Sequence, residues 1–468
     1  MIKLLKMVPF LLLTGCAAVG PDWEAPTTPL PVTFTDGSST GIDDVAYQAW
    51  WRDFNDPLLT KLVERGFEQN LDILQAKERI NEANAKLRAK GINSALSGSA
   101  SFERLRSGTE GQGTSISSES SLSAGFVIDL FGGIRREREA AVANLAAIQS
   151  NVGTERLAWL AELVADYSNA RYYQQALELT RNTISTRKET LEITKKELAA
   201  GSSTQYELAE AEAALQAAQA ELPSYQAQFK ATVFAIATLM DEPAGPLMME
   251  MQQTSPSLSI PTSIISTGFP ADLLRNRPDI RYYEAVLHQQ VATVGVDESS
   301  LYPSISLNGT VSNTDSVNGW SFGPSISLGI FNRGALHAQH DAQVSVAKQA
   351  EIDWRSSVRG AVEDVQVAQS NFALYQEQTE LLNKAAASYG RALALGRNNY
   401  RNGAMTLLNL LDTVRSEASA QISAASAHNS AVKEWASLQI AIGAGAGFSD
   451  KKDEEKGGAT PNTLEVKQ

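Results

Sequence analysis

The sequence predicts a mainly α-helical chain that carries transmembrane β-barrel strands, built as two structural repeats, each of two strands plus a long helical hairpin. Three observations point to this. No proline lies between Pro57 and Pro223, or between Pro324 and Pro461. A proline in a helix interior costs about 3 kcal/mol, so both stretches are free to run as very long helices. Related segments then return at a steady offset: FGGIRREREAAVANLAA begins at Phe131 and FNRGALHAQHDAQVSVA at Phe331, and turn glycines stand at Gly201 and Gly403. Such an offset marks a repeated unit. Finally, two segments that alternate apolar with small polar residues precede each long helix, the pattern of membrane β-strands.

Residues 1–15 carry Lys3 and Lys6, a short apolar run from Val8 to Leu13, then Thr14 and Gly15. This is the layout of a secretory signal peptide. The run is far shorter than the ~20 residues that span a bilayer, so it is not a membrane anchor in itself. The only cysteine, Cys16, follows at once. A lone thiol makes no internal disulfide, which leaves either acylation or a place as a small buried hydrophobe. Leu13-Thr14-Gly15-Cys16 resembles a bacterial lipobox, and that resemblance implies cleavage before Cys16 and its lipidation. Residues 16–57 form a Pro-rich N-terminal segment, with Pro21, Pro26, Pro29, Pro31 and Pro57.

Repeat 1 is expected to place helices at 58–93 and 133–240 around strands at 94–132. In SALSGSASF, Leu96, Gly98, Ala100 and Phe102 share one face; in SSLSAGFVIDL, Leu122, Ala124, Phe126, Ile128 and Leu130 do the same. The Gly133–Ala200 stretch reads as one helix about 100 Å long, interrupted only by Gly153. Gly201 then supplies a helix C-cap, and Ser202 to Thr204 restart the chain as a helix. Leu208, Leu215 and Leu222 recur every seven residues, with Ala211 and Ala218 between them, as in a coiled-coil seam.

A Pro-rich linker at 241–269 leads to repeat 2, with helices at 270–300 and 334–447 around strands at 301–333. Ile305, Leu307, Gly309 and Val311 share one strand face; Trp320, Phe322, Ile326, Leu328 and Ile330 share the other strand's. The helix from about Gly334 to Asn402 ends at Gly403. Leu411, Val414, Ala418, Ile422, Ala425, Val432 and Trp435 then keep spacings of three, four or seven. The Gly- and Ser-rich stretches 106–119 and 313–319 read as exposed loops. The tail 448–468 is charged and poor in apolar residues, as disordered tails are.

A half-buried soluble sheet would alternate in the same way. The polar face, however, is Ser, Gly and Asn rather than charged, which favours a membrane barrel. Four strands cannot close one, because even the smallest need about eight. Open edges in lipid would strand backbone N–H and C=O groups, so other copies of the chain must complete the cylinder.

Composition narrows the function. Forty Lys and Arg face 53 Asp and Glu, a formal net charge of −13. Nucleic-acid binding, which rests on basic contacts to phosphate, is a poor fit. No P-loop, GxSxG or HExxH motif occurs, so no enzyme activity, cofactor or metal centre is expected. Of His288, His337, His340 and His428, only His337 and His340 stand three apart near a carboxylate, and such pairs are usually plain exposed residues.

The lipobox cysteine followed by Gly20-Pro21-Asp22-Trp23, the duplicated strand–strand–helix–helix units, and Leu274-Arg275-Asn276-Arg277-Pro278-Asp279-Ile280-Arg281 together resemble the TolC-like outer-membrane factors, in their lipoprotein efflux branch of OprM/NodT type. The resemblance implies a homotrimer with a shared 12-stranded barrel in the outer membrane of a Gram-negative bacterium and an α-helical tunnel in the periplasm. It implies a passive conduit for small molecules that works with a periplasmic adaptor and an inner-membrane RND pump. It places the adaptor-contact tips at Gly201 and Gly403, and the family's aspartate pair at the periplasmic aperture on Asn409 and Asp412, of which only Asp412 is acidic. Arg397, Arg401 and Arg415 are candidate partners for Asp412. Arg277, Pro278 and Asp279 read as a structural helix start, with Pro in the first turn and Asp at the positive dipole end. The outer-membrane channel of a type I protein secretion system shares this architecture, and a coiled-coil lipoprotein without a pore is the alternative of another class.

Overall fold

The computed structural model describes residues 18–35, 41–42, 44–111, 113–253, 258–261 and 266–447. The signal segment 1–15, Cys16 and the tail 448–468 lie outside the described residues. The element order is α1 Pro57–Gln69, α2 Leu71–Arg88, α3 Ile92–Ala95, β1 Leu96–Thr109, β2 Gly113–Ile128, α4 Gly133–Ala199, α5 Gln205–Leu239, α6 Ala244–Gln253, α7 Leu273–Asn276, α8 Pro278–Ser299, β3 Ser304–Thr314, β4 Val317–Ser327, α9 Arg333–Arg401 and α10 Leu407–Ala441. Among the described residues no helix is long and apolar enough to cross a membrane.

The chain divides into two compact units. The first comprises residues 1–29, 76–151 and 279–358. Its centre is one antiparallel sheet in the order β1-β2-β3-β4. The strands are longer than their sequence predicted. Most of 106–119 and 313–319 is strand rather than loop, with Arg106 paired to Ile116 and Asn313 to Asn318. Small polar residues hold these ends as a ladder: Ser107 and Ser115 hydroxyls meet at 3.0 Å, and Arg106 Nη2 donates to Thr114 Oγ1 at 3.2 Å. The second turn is only Asp315-Ser316, at φ 48° and 74°, the left-handed pair of a tight hairpin.

The second unit comprises residues 30–75, 152–278 and 359–468. Its core is an aromatic cluster absent from the sequence-based expectation, which read residues 16–57 only as a Pro-rich segment. Trp50, Trp51 and Phe54, in a single 3-10 turn, are buried against Phe67 of α1 and Trp435 of α10. Ring centroids are 5.7 Å apart for Trp50–Trp435, 4.9 Å for Phe54–Trp435 and 5.5 Å for Trp51–Phe67, all edge-to-face. Trp159 of α4 lies on Gly66, where any Cβ would stand 2.1 Å from the indole ring. Asp56 caps α1 through Leu58 N and Leu59 N, and its other oxygen accepts from Tyr167 OH at 2.7 Å. Arg171, 2% exposed, lies 4.8 Å over the Tyr167 ring and donates to Gln174 Oε1 and the Met251 carbonyl.

Other details depart from expectation. Gly153 does not interrupt α4; its missing Cβ makes room for Pro278, whose own Cβ would lie 2.8 Å away. The linker 241–269 contains α6, which buries Leu247 and Met251. Arg277 donates to Asp364 Oδ2 at 2.9 Å and to the Ala441 carbonyl at 3.2 Å, while Pro278 and Asp279 occupy the first turn of α8.

Candidate functional site

The sheet presents two chemically distinct faces. Register aligns Leu96 with Phe126, Leu307 and Pro324 across the four strands, and Ala100 with Leu122, Val311 and Trp320. All apolar sets therefore fall on one face, and that face is uncovered: Phe102 is 74% exposed, Trp320 81% and Ile326 70%. The other face is laced by hydroxyls, with Ser99–Ser123 and Ser101–Ser121 each at 2.8 Å. Both β1 and β4 end the sheet unpaired. An apolar face beside two open backbone edges is stable in lipid only once those edges are joined.

The two hairpin turns share one geometry. Gly201 has φ 74° and Gly403 φ 72°. Ser202 N bonds the Glu197 carbonyl at 2.9 Å and Ala404 N the Asn399 carbonyl at 2.8 Å, the six-residue closure of a Schellman turn. Each next helix is capped by threonine: Thr204 in a full capping box with Glu207, Thr406 by accepting from Asn409 N at 3.4 Å. Asn409 thus sits in the first turn of α10, exposed.

Between the turns lies a core of Leu191, Ala211, Leu393, Tyr400, Leu407, Leu410 and Val414. The buried seam centres on Ala211 and Ala218 in α5 and on Leu410 and Val414 in α10, with Leu208, Leu215 and Leu411 only partly buried. Close helix approach selects the small residues for the centre. Three side chains of α9 reach α4: Tyr400 OH donates to Glu197 Oε2 at 2.6 Å, Arg397 Nη2 to Thr186 Oγ1 at 2.5 Å, and Arg401 pairs with Glu189. Burial and the Glu197 carboxylate push the Tyr400 hydroxyl up to about 12. Of the three arginines considered for Asp412, only Arg415 pairs with it, at 2.5 Å on the same exposed helix face.

In the first unit the GPDW segment is strapped to α4 and α8. Val19 N donates to the Phe131 carbonyl at 3.0 Å. Arg136, 5% exposed, donates to the carbonyls of Val19 and Gly20 at 3.2 Å each and to Asp22 Oδ1 at 2.7 Å. Trp23 stacks on His288 at 4.5 Å, and His288 Nε2 lies 3.0 Å from Glu139 Oε1. Although burial opposes it, bonds from Arg136 and His288 hold the Glu139 carboxyl below its ordinary value. Gly20, at φ 88°, lies against Gly295, where a Cβ would meet the Gly295 Cα at 2.5 Å. The quoted GPDW pattern was the only sequence signal for this strap. His428 bonds the Leu258 carbonyl at 2.7 Å and His340 lies 3.3 Å from Asp341. Among the described residues no group of three or more His, Cys, Asp or Glu side chains is placed to hold a metal.

A family model described as outer membrane efflux protein matches residues 61–241 and 269–444. Nodulation protein T of Rhizobium leguminosarum bv. trifolii is 37% identical over 449 residues, 93% of this chain and 96% of that protein. The solvent efflux pump outer membrane protein SrpC of Pseudomonas putida is 26% identical over 441 residues, 90% of this chain and 93% of that one. Among solved structures, the outer-membrane channel OprN superposes with a TM-score of 0.82 at 27% identity, covering 92% of this chain and 99% of its own. The open state of the Neisseria gonorrhoeae MtrE outer membrane channel superposes with 0.79 at 25% identity, covering 93% and 100%. The uncovered apolar sheet face, the open strand edges and these likenesses agree: the chain belongs to the outer membrane efflux protein family, as the outer-membrane channel component of an efflux system and not an enzyme.

Proposed function

We propose that three copies of the chain close a 12-stranded barrel in the outer membrane of a Gram-negative bacterium, above a helical tunnel in the periplasm. The assembly is a passive conduit for small molecules delivered by a periplasmic adaptor and an inner-membrane RND pump. The observation that carries this reading is the four-stranded sheet with both edges unpaired and one face apolar and exposed. Sister strands satisfy the edge N–H and C=O groups and lipid covers the face.

The turns at Gly201 and Gly403 are the adaptor-contact tips, and the twin Schellman geometry supports this by giving both repeats the same exposed surface. Asp412 is the acidic residue of the periplasmic aperture, beside Asn409; its exposure on α10 supports that role. Residues 1–15 are a cleaved signal, and Cys16 carries the lipid. The strap supports an anchor at the barrel base, because Ala18 packs against Gly132, directly after β2. Mass analysis of the detergent-purified protein, with planar-bilayer recording, tests the reading. A trimer that opens ion-conducting channels is expected; a stable monomer without conductance overturns it.

A further inference from the structure

The four strands carry only four charged residues, and the sheet sorts them by sign. Glu103 and Glu119 are register partners on the hydroxyl-lined face. Arg104 and Arg106 fall on the opposite face, continuing the row Leu96, Gly98, Ala100, Phe102 toward the β1–β2 turn. Among the described residues neither arginine has a carboxylate partner; Arg106 bonds only Thr114 Oγ1, at 3.2 Å.

Height along the strands gives the position meaning. Arg104 pairs with Ser118, ten residues along β2 from Ile128, the lowest apolar residue of that strand's outer row. At ~3.4 Å per residue and the usual 35–45° tilt, that rise is about 26 Å. The apolar band of an outer-membrane barrel is ~25 Å tall. Arg104 therefore stands at the upper rim of the band and Arg106 one row above it, at the end of the sheet remote from α4 and α9.

We propose that Arg104 and Arg106 form an outward collar that binds the phosphate groups of the phosphorylated glycolipid in the outer leaflet. The inference rests on the membrane-barrel reading. A guanidinium fits phosphate with two parallel hydrogen bonds, and the acidic pair is kept on the far side of the wall, where it does not compete. A merely soluble rim would not require the two signs to segregate by face. The proposed occupant is the lipid headgroup, fixed by its acyl chains against the apolar row below, rather than free phosphate.

The test uses the full-length assembly reconstituted in phosphatidylcholine vesicles doped with bis-phosphorylated lipid A, or with the same lipid stripped of phosphate. Lipid retained after detergent extraction is read by mass spectrometry. Retention of the phosphorylated form is expected to exceed the stripped form by about tenfold and to lose that preference in R104Q/R106Q. R104K/R106K is expected to keep part of the preference, and E103Q/E119Q all of it. Equal retention of both lipids by the unmodified protein, an R104Q/R106Q variant that keeps the preference, or displacement by inorganic phosphate overturns the collar. Failure of the unmodified protein to float with vesicles overturns the barrel reading instead, and is scored separately.

Discussion

Tyr400 OH donates to Glu197 Oε2 at 2.6 Å, joining the last turn of α9 in the second repeat to the last turn of α4 in the first. The phenol is buried, and Thr194 Oγ1 stands 3.2 Å from the same oxygen. If the tips close the conduit, this bond restrains the α9–α10 hairpin against α4. Tyr400→Phe keeps the ring in the Leu393–Leu410 core and removes only the donor, at a cost of about 1–3 kcal/mol because Glu197 loses its partner. Single-channel recording is expected to show larger or longer openings in Tyr400→Phe, and Glu197→Gln should add little to it in a double-mutant cycle.

Asp412 and Arg415 form an exposed pair on one helix, and such pairs contribute under about 1 kcal/mol. Asp412→Ala is therefore expected to leave the melting temperature unchanged. With Asp412 at the aperture, as proposed, the expected effect is on ion selection, since charge rings set selectivity in pores. Reversal potentials in a salt gradient should move toward lower cation preference; an unchanged potential removes Asp412 from the aperture.

The strap around Arg136 titrates through Glu139. The Glu139 carboxyl is held below its ordinary value, so the charged form is favoured in the folded state. That contribution is present above the unfolded carboxyl value and is lost as pH falls through the lowered folded one. Hydrogen exchange of residues 18–23, scaled to the intrinsic amide rate at each pH, is expected to be slow near neutral pH and to quicken once the pH falls below the ordinary glutamate range. Arg136→Gln should quicken it throughout, because the Val19 and Gly20 carbonyls and Asp22 lose their shared donor.

Face assignment is testable by arginine substitution. Leu122→Arg and Val311→Arg, on the apolar face near mid-height, should each cost ~2–4 kcal/mol in a lipid-refolding titration. Ser123→Arg, on the hydroxyl face, should cost little. Equal tolerance on both faces would refute the assignment.

Gly66→Ala places a methyl into the Trp159 ring, 2.1 Å from its nearest atom. Overpacking of this kind costs about 1–3 kcal/mol. Chemical denaturation of the variant should show the loss, with near-normal behaviour restored by Trp159→Phe.

The features legible in the sequence were those with a local period. Alternation sorted Leu96 to Phe102 and Trp320 to Ile326 onto one face because strand side chains alternate strictly, and register then brought those faces together. The 200-residue offset exposed the repeat, and the glycines at 201 and 403 marked turns whose backbone only glycine adopts easily. Where local signals were weak, expectation failed. Ser- and Gly-rich strand ends resembled loops because small polar side chains reveal a ladder only when a partner strand supplies the opposing hydroxyl.

Sequence alone determined where the long helices and the central parts of the strands lie, which face of each strand is apolar, and that four strands are too few to close a barrel. Tertiary structure decided that Arg415 rather than Arg397 or Arg401 meets Asp412, that Tyr400 meets Glu197, that Trp50 and Trp51 build a core with Trp435, and that Arg136 holds the GPDW strap. The division has a physical cause. Backbone geometry repeats every two or 3.6 residues and imprints its period on neighbouring side chains, whereas an ion pair or a ring contact joins residues hundreds of positions apart and depends only on where the folded backbone carries them.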